Sequence, residues 1–570
     1  MANRIFGIDL GTTYSCIAYI DENEKPVVLK NAEGDLTTPS VVHFESPEEI
    51  HVGSAAKEDA VLYPDQVVTA VKRHIGEPGF QLTINGVNYK PEDVSSYILK
   101  KLVGDANTTL IEERKLQPGE EIKDVVITCP AYFGVTERDA TAAAGKIAGL
   151  NVLSIINEPT AAAITYGVAD TSDEKTVLVY DLGGGTFDIT MIRIKPGEIR
   201  VICTGGDKNL GGKDWDARIL MYLNEQYQQE TGSPDNILDD PETLQDLTLK
   251  AEKAKKLLSS KPKAPISVNY QGEQARVILT REKFDEMTAD LLQRTIDLTN
   301  DMFNEAEKKG YSRSDVSQIL LVGGSSKMPQ VMNRVKEEFG LDTSMFDPDE
   351  AVAKGAAIYA NSVKNYNIVV DEVIEKIAQK TGKDVDEVKK DIDSGKTDID
   401  EEAKKYNIPS VAQTVAQTLG GISASAPKII NVSSRSFGII ALDEAHEEKL
   451  FNMIVKNADL PAEISKTFYT IEDNQSGVSL RVYECMKMED IVEVSDGKEV
   501  GIAELRLNPN TPKGTPIEIT FRLNNEGLLG VVGREPKSGN HIEAEFETKD
   551  KMSDEELREA QKRNSNSAVD

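Results

Sequence analysis

The stretch that most constrains this chain is Asp181-Leu-Gly-Gly-Gly-Thr-Phe-Asp188, which lies between apolar runs at residues 177–180 and 189–192. The pattern predicts a strand, a tight glycine turn and a second strand. Three consecutive glycines lack Cβ atoms, so the amides of the turn can approach an oxyanion, and the flanking aspartates can hold a hydrated cation. The same residues are equally compatible with an ordinary β-hairpin.

A second copy of the pattern lies near the N-terminus. Ile5-Phe-Gly-Ile-Asp9-Leu-Gly-Thr-Thr13 again joins an apolar run to Asp-Leu-Gly, small residues and threonine, and another apolar run follows at residues 15–20. Internal repetition indicates related structural units. We therefore predict two similar α/β lobes that close on a nucleotide between them.

Composition limits the function classes. A chain of 570 residues is too long for one hydrophobic core, so we expect several domains. The formal net charge of −31 argues against a nucleic-acid partner. Cys16, Cys129, Cys203 and Cys485 form no Cys-x-x-Cys pair, so neither a disulfide framework nor a zinc site is indicated. The sequence starts without a signal-peptide pattern, and no apolar run reaches about 18 residues. We expect a cytoplasmic protein without membrane contact.

Periodicity divides the chain into regions. Residues 1–364 alternate strand-like and helix-like segments, which predicts α/β layers with partly parallel sheets. Residues 365–428 are charged and amphipathic and end in a proline-bounded stretch, as expected for solvated helices and a linker. Residues 429–550 alternate apolar and polar side chains, which predicts an all-β sandwich. Residues 551–570 open with a capping box at Ser553 and Glu556, which predicts one short helix.

The predicted elements within these regions are specific. Predicted strands lie at residues 41–44, 125–128, 318–322, 479–485, 517–523 and 542–546. Predicted helices lie at residues 137–150, 159–166, 215–229, 244–258 and 281–309.

With Asn157-Glu-Pro-Thr-Ala-Ala-Ala163 and Leu321-Val-Gly-Gly324, the motifs closely resemble those of the heat-shock 70 (Hsp70) chaperone family. The resemblance covers residues 1–364 strongly and 429–550 more weakly, and residues 365–427 match nothing in the family. It implies an α/β two-lobed actin-like ATPase domain, with duplicated ribonuclease-H-like lobes, joined to a C-terminal all-β sandwich of the peptide-binding type. The implied function is an ATP-dependent molecular chaperone. ATP hydrolysis would control its binding of extended apolar peptide segments of unfolded proteins.

The resemblance also implies individual site residues. Asp9 and Asp181 would position Mg²⁺ through water, with K⁺ a second candidate cation, and Lys72, Glu158 and Thr186 would complete the catalytic group. The residues that would hold ATP or ADP are Gly11, Thr12, Thr13, Tyr14, Gly183, Gly184, Gly185, Glu252, Lys255, Ser259, Gly323, Gly324, Ser325 and Asp349. The residues that would line a pocket for one peptide side chain are Ile439, Leu442, Phe468, Ile471, Val478 and Leu480. Without the resemblance, these six would be interpreted as sandwich core.

Several features depart from the family pattern. Lys327 replaces an arginine that stacks on adenine, and lysine lacks a planar guanidinium. Ser154 and Asn431 replace family residues that are tied to stimulation by J-domain proteins, so whether this chain has a J-domain partner stays open. A nucleotide-exchange factor is expected as a partner. The linker is unlike the family's, which puts interdomain coupling in doubt. The family's long helical lid would be missing, because only residues 550–570 follow the β module.

Because of these departures, two alternative functions remain. The first is a nucleotide-gated binding or scaffold protein with little general chaperone activity. The second is a filament-forming or kinase relative of the same ATPase fold, which leaves the β module unexplained.

Overall fold

The computed structural model describes residues 4–169, 174–195, 198–393, 399–410, 428–524, 527–536, 541–544 and 552–570. The N-terminal lobe is built on a mixed sheet. Its strands are β1 (Phe6–Asp9), β2 (Tyr14–Ile20), β3 (Pro26–Val28), β4 (Thr38–Pro39), β5 (Val41–Phe44), β6 (Glu49–Val52), β7 (Val67–Thr69), β8 (Leu82–Ile84), β9 (Val87–Tyr89), β10 (Asp124–Cys129) and β11 (Asn151–Asn157). Its helices are α1 (Ser54–Asp59), α2 (Pro91–Glu112), α3 (Val135–Ile147) and α4 (Glu158–Ala169), with a 3₁₀ helix at Val71–His74.

The second lobe contains β12 (Lys175–Leu182), β13 (Phe187–Lys195), β14 (Glu198–Asp207), β15 (Lys263–Tyr270), β16 (Glu273–Thr280), β17 (Val316–Val322) and β18 (Asp342–Met345). Its helices are α5 (Gly212–Thr231), α6 (Pro241–Ser260), α7 (Arg281–Met287), α8 (Ala289–Lys308) and α9 (Pro329–Phe339). Short 3₁₀ helices lie at Ile237–Asp239, Arg313–Asp315 and Gly324–Lys327.

The two lobes share one sheet topology. The first sheet runs β11-β10-β1-β2-β3 and the second runs β18-β17-β12-β13-β14. In each, the first three strands pair in parallel and the last three pair antiparallel. This confirms the duplicated lobes predicted from the repeated Asp-Leu-Gly pattern.

A long helix, α10 (Ala351–Thr381), packs against β1, β2 and β10 and crosses α4. The crossing is so close that a Cβ on Gly355 would lie 1.8 Å from the Ala161 carbonyl oxygen. The helix runs through residue 364 without a break and ends where Gly382 adopts φ 70°. Its C-terminal part packs with α11 (Val385–Asp393) and α12 (Ile399–Lys405) around Val373 and Ile377. Helices are therefore present in the predicted charged segment, while residues 411–427 lie outside the described residues.

The C-terminal region is an antiparallel sandwich, as predicted. After β19 (Lys428–Ile430), its strands are β20 (Ser436–Leu442), β21 (Glu448–Ile454), β22 (Ala462–Tyr469), β23 (Gln475–Cys485), β24 (Ile491–Val492), β25 (Gly497–Thr511), β26 (Pro516–Leu523), β27 (Leu529–Arg534) and β28 (His541–Ala544), with a 3₁₀ helix at Val494–Asp496. One sheet runs β24-β21-β20-β23-β25 and the other β22-β26-β27-β28. Side chains of both sheets, such as Val482 and Phe521, share one core.

The sandwich is docked on both lobes. The preceding strand β19 adds in parallel to the edge strand β14. Lys456 Nζ contacts Glu305 of the second lobe at 2.7 Å, and Ser434 Oγ donates to the Phe133 carbonyl of the first lobe at 2.9 Å. The divergent linker therefore does connect the sandwich physically to the sheet of the second lobe.

The C-terminal tail returns to the first lobe. Ser553 Oγ accepts a hydrogen bond from the Glu556 amide at 3.2 Å, so the predicted capping box begins α13 (Asp554–Asn566). Arg563 of this helix pairs with Asp93 at 2.9 Å, and β29 (Ala568–Val569) adds to β6 in parallel. Within the described residues, every helix is too short or too polar to cross a lipid bilayer.

Candidate functional site: the interlobe cavity

A cavity of about 800 Å³ lies between the two lobes. Every residue of the predicted catalytic and nucleotide-holding sets lines it, except Gly185. This volume is in the range that small-molecule and cofactor sites occupy. Residues from two distant halves of the sequence therefore converge on one chamber.

The two glycine hairpins meet face to face across this cavity. A hydrogen bond from the Gly183 amide to the Thr186 carbonyl, 3.0 Å long, closes the second hairpin. A Cβ on Gly184 would lie 1.8 Å from Thr13 Oγ1, and one on Gly185 would lie 2.3 Å from Thr12 Cγ2. Residues 184 and 185 must therefore be glycines, because a Cβ at either position would collide with the opposing hairpin. Gly185 fills this contact instead of lining the chamber.

One end of the cavity is lined by Asp9, Glu158 and Asp181, and Asp188 lies close to them. These four acids form the acidic floor, in which Glu158, Asp181 and Asp188 are buried. Lys72 Nζ pairs with Glu158 Oε1 at 2.5 Å. Burial, followed by the nearby carboxylates of Glu158 and Asp9, raises the pKa of Asp181 well above its usual value. Burial and Glu158 raise the pKa of Asp9 to about 7. Carboxyl groups are thus in surplus over the one ammonium, and the raised pKa values mean that a further cation is needed to keep all of them ionised.

Such a surplus fits a bound cation. Uncompensated charge is costly to bury, and carboxylates are preferred ligands of Mg²⁺. Thr128 Oγ1 donates to Asp9 at 3.1 Å and the Ala131 amide to Asp188 at 2.9 Å, so some carboxylate oxygens are fixed in place. The donor set therefore suits a hard divalent cation.

A second group of charged side chains, the cationic rim, consists of Lys57, Arg73 and Lys213 near the glycine hairpins. Lys57 of the first lobe pairs with Glu252 of the second and donates to Tyr14 at 3.1 Å. Arg73 donates to the Gly185 carbonyl at 3.0 Å and to Asp214 at 2.7 Å. These contacts hold the two lobes together around the cavity.

The remaining wall is formed by α6 and the turn at residues 323–325. Lys255 donates to the Gly212 carbonyl at 2.8 Å and to Asp216 at 2.7 Å, and Ser259 lies one turn further along the same face. On the opposite side, Lys327 pairs with Asp349, so the lysine that departs from the family pattern is held at the cavity wall.

The six residues predicted to line the peptide pocket are divided between the core and the surface of the sandwich. Ile439 and Leu480 are buried in the sandwich core, and Phe468 and Val478 pack against that core. Leu442 and Ile471 lie at the surface, with 39% and 53% of their area exposed. The structure thus brings four of the six together and leaves two in contact with solvent.

Sequence reasoning missed several cavity residues. The chamber is also lined by Lys57, Lys213, Asp216 and Lys256, none of which is among the site residues predicted from the sequence. Lys213 and Asp216 follow Gly211-Gly212 at the start of α5. A glycine pair before a long helix is a signal that points to close backbone approach, and it would have directed attention to both.

Comparisons with known proteins agree with the geometry. A family model described as Hsp70 protein matches residues 5–81, 77–379 and 407–570. The chaperone protein DnaK of Thermosipho melanesiensis is 35% identical over 563 residues, which cover 97% of this chain and 82% of the relative. DnaK of Thermotoga maritima is 34% identical over 565 residues, with the same coverage. DnaK of Thermosipho africanus is 35% identical over 570 residues, covering 98% of this chain and 82% of the relative.

The family match reaches further than the motifs suggested. It includes residues 365–379 and 407–427, so the expectation that the whole segment 365–427 matches nothing is wrong. It also includes the tail at residues 551–570. The family model leaves residues 380–406 unmatched, and these contain α11 and α12.

Proposed function

Because this chain belongs to the Hsp70 family, and is an ATP-dependent molecular chaperone with ATPase activity, we propose that the interlobe cavity is its ATP site. We further propose that the docked sandwich, residues 429–550, binds extended apolar peptide segments. The observation that carries the first proposal is the convergence of the predicted residues, Gly185 excepted, on one chamber.

The phosphates would lie between the two glycine hairpins. Thr13 Oγ1 is buried there and has no hydrogen-bond partner among the described residues, which supports a ligand oxygen as its partner. Gly11, Thr12 and Tyr14 belong to the same hairpin, and Gly183, Gly184 and Thr186 to the opposing one. Glu252, Lys255 and Ser259 would contact the adenosine from one side, and Gly323, Gly324, Ser325 and Asp349 from the other.

Asp9 and Asp181 would hold Mg²⁺ through water, and K⁺ is a further candidate at the acidic floor. When bound, the metal supplies charge neutralisation for the triphosphate oxygens. The surplus of carboxylates over ammonium groups around Lys72 supports this assignment.

Lys72 and Glu158 would act on the attacking water. Glu158 fixes the Lys72 ammonium by a buried salt bridge, so the ammonium is preoriented toward the chamber. A fixed positive charge in a water-poor site stabilises developing negative charge without reorganisation. We assign Lys72 to the γ-phosphate and to orientation of the water.

For the sandwich, we propose that the exposed Leu442 and Ile471 contact the peptide first, while Ile439, Phe468, Val478 and Leu480 form the floor below. Apolar side chains exposed at the edge of a sandwich suit an extended peptide. We also propose a nucleotide-exchange factor as a partner and the cytoplasm as the location, and leave a J-domain partner open.

The peptide assignment is tested by replacing both exposed residues, Leu442→Ser and Ile471→Ser. Because both side chains are exposed, the sandwich should keep its stability while peptide affinity falls about tenfold or more. Ile491→Ser is the matched control, because Ile491 has a similar exposure of 49% on β24. Fluorescence anisotropy with a labelled apolar peptide reports the affinity. Equal affinity in the double variant and the control would reject this surface.

The ATP assignment is tested by turnover of Mg·ATP in the full chain, with and without the peptide. We expect basal hydrolysis that the peptide accelerates. A chain that binds no ATP would overturn the assignment of the cavity.

A further inference from the structure

Lys213 occupies a special place at the first turn of α5. Its amide donates to the Gly184 carbonyl at 2.9 Å, so its backbone touches the glycine hairpin of the second lobe. Its side chain reaches across to the first lobe, where Nζ donates to Thr69 Oγ1 at 3.1 Å. The side chain lines the interlobe cavity on the way. It therefore spans the chamber beside the hairpin.

The charge of Lys213 lacks a carboxylate partner. Within the cationic rim, Lys57 pairs with Glu252 and Arg73 with Asp214. No carboxylate of the described residues forms a salt bridge with Lys213, whose one side-chain hydrogen bond in this part of the chain goes to a neutral hydroxyl. Burial, followed by the positive charge of Arg73, lowers the pKa of Lys213 to about 8, and Lys57 acts in the same direction. Asp216 and Glu252 oppose this shift from a distance.

The cavity therefore has an acidic end and a cationic end. The acidic floor has more carboxyl groups than ammonium groups, and the rim has an ammonium that pairs with no carboxylate of the described residues. A half-buried ammonium with like charges beside it is stabilised by an anion. The N-terminal end of α5 adds a partial positive charge at the same place. Thr13 Oγ1, which lies beside Gly184, has no hydrogen-bond partner among the described residues. A triphosphate with a divalent cation has the matching charge pattern.

We propose that Lys213 binds the phosphate chain of the nucleotide. Lys213 would be a phosphate-binding residue in addition to those predicted from the sequence, and this inference rests on the proposed ATP site.

Three variants of the full chain test it: Lys213→Met removes the charge, Lys213→Arg keeps it, and Lys253→Met is a control on the exposed face of α6. We expect Lys213→Met to weaken ATP binding about ten- to a hundredfold, the range for one charge-assisted contact. Binding of adenosine, which has no phosphate, should change less than about twofold. Lys253→Met should bind both ligands like the wild type. Trp215, the single tryptophan, is buried on the same helix, so its fluorescence checks that each variant is folded.

The pH dependence separates a direct phosphate contact from a structural role. Affinity of the wild type for ATP should be full below about pH 8 and fall up to about tenfold per unit above it, as Lys213 loses its proton. Lys213→Arg should keep its affinity to higher pH, because guanidinium stays protonated. Equal losses for ATP and adenosine in Lys213→Met, or wild-type ATP affinity in that variant, would overturn the role of Lys213 alone. A wild type that fails to bind ATP would overturn the site itself.

Discussion

At the scale of single residues, the proposed chemistry depends on Lys72. Its side chain is 5% exposed and is held by Glu158 within a group of acids. A lysine in the sequence Val71-Lys-Arg-His gives no sign of burial, and without the resemblance it would be assigned to the surface. Its partner is 86 positions away, so only the assembled lobes reveal the pair.

Replacing this residue should separate binding from chemistry. We predict that Lys72→Ala binds ATP with little change but slows single-turnover hydrolysis on the order of 10²-fold, the range for loss of one charge-stabilising group. Rapid quench of radiolabelled ATP measures the rate, and Lys253→Met is the control. Unchanged hydrolysis in Lys72→Ala would remove the residue from the mechanism.

At the scale of elements, the strands and helices predicted from periodicity and local signals are present where the structure describes them, except that the helix predicted at residues 281–309 is divided at Thr288 into α7 and α8. Ser553 begins α13 through its capping box, and Gly382 ends α10 in a left-handed conformation that glycine adopts easily. A predicted boundary at residue 364 was drawn from charge composition, whereas the helix continues because no breaker occurs until Gly382. The direct contact between Gly184 and the Thr13 side chain was not predictable, because the two hairpins are far apart in sequence.

The hairpin contact gives a second prediction. Gly184→Ala would place a Cβ 1.8 Å from Thr13 Oγ1 and 2.7 Å from Thr13 Cβ, so the hairpins must separate. We expect ATP turnover to fall at least tenfold, as misplacement of a positioning group by about 1 Å can cost more than that. Gly104→Ala is the control, because its Cβ would meet nothing within 4 Å on α2. Similar steady-state turnover in the two variants would contradict this account of the hairpins.

The tail gives a third prediction. The Val52 amide donates to the Asp570 carbonyl at 2.8 Å, and the Phe44 amide donates to the Gln66 carbonyl within the first lobe. Deleting residues 567–570 should accelerate hydrogen exchange at Val52 and leave exchange at Phe44 unchanged. Mass-spectrometric exchange resolves the two sites. Equal protection of Val52 with and without these residues would show that the tail does not pair with β6 in solution.

At the scale of the whole molecule, the sandwich meets the first lobe through two acids. A Cβ on Gly134 would lie 2.4 Å from Glu484 Oε2 and 3.1 Å from Glu137 Oε2, so both carboxylates converge beside this glycine. Burial, followed by Glu137, raises the pKa of Glu484 to about 7, although Arg435, Lys498 and Lys208 oppose the shift. Sequence patterns predicted the sandwich but not its docking, because neither acid is near the other in sequence.

This pair makes docking depend on pH. Glu484 has a raised pKa when docked and should return to about 4.3 when the sandwich leaves the lobe. Docking is therefore weakest above about pH 7 and should strengthen up to about tenfold per unit as pH falls from 7 toward 4.3. Glu484→Gln should dock strongly at all these pH values, and Glu504→Gln, exposed on β25, should behave like the wild type.

Energy transfer between dyes measures this docking. The four native cysteines are buried, so dyes attach selectively at Asp65→Cys on the first lobe and Glu444→Cys on the sandwich, two exposed positions. A pH profile that survives in Glu484→Gln would contradict the role of the acid pair.

We propose that the nucleotide in the interlobe cavity controls peptide binding by the sandwich, which is docked on both lobes. The most direct test of this proposal is the affinity of the full chain for a labelled apolar peptide, measured by anisotropy with saturating ATP and with saturating ADP. We expect weaker peptide binding and faster peptide release with ATP. Equal affinity in the two nucleotide states would contradict it.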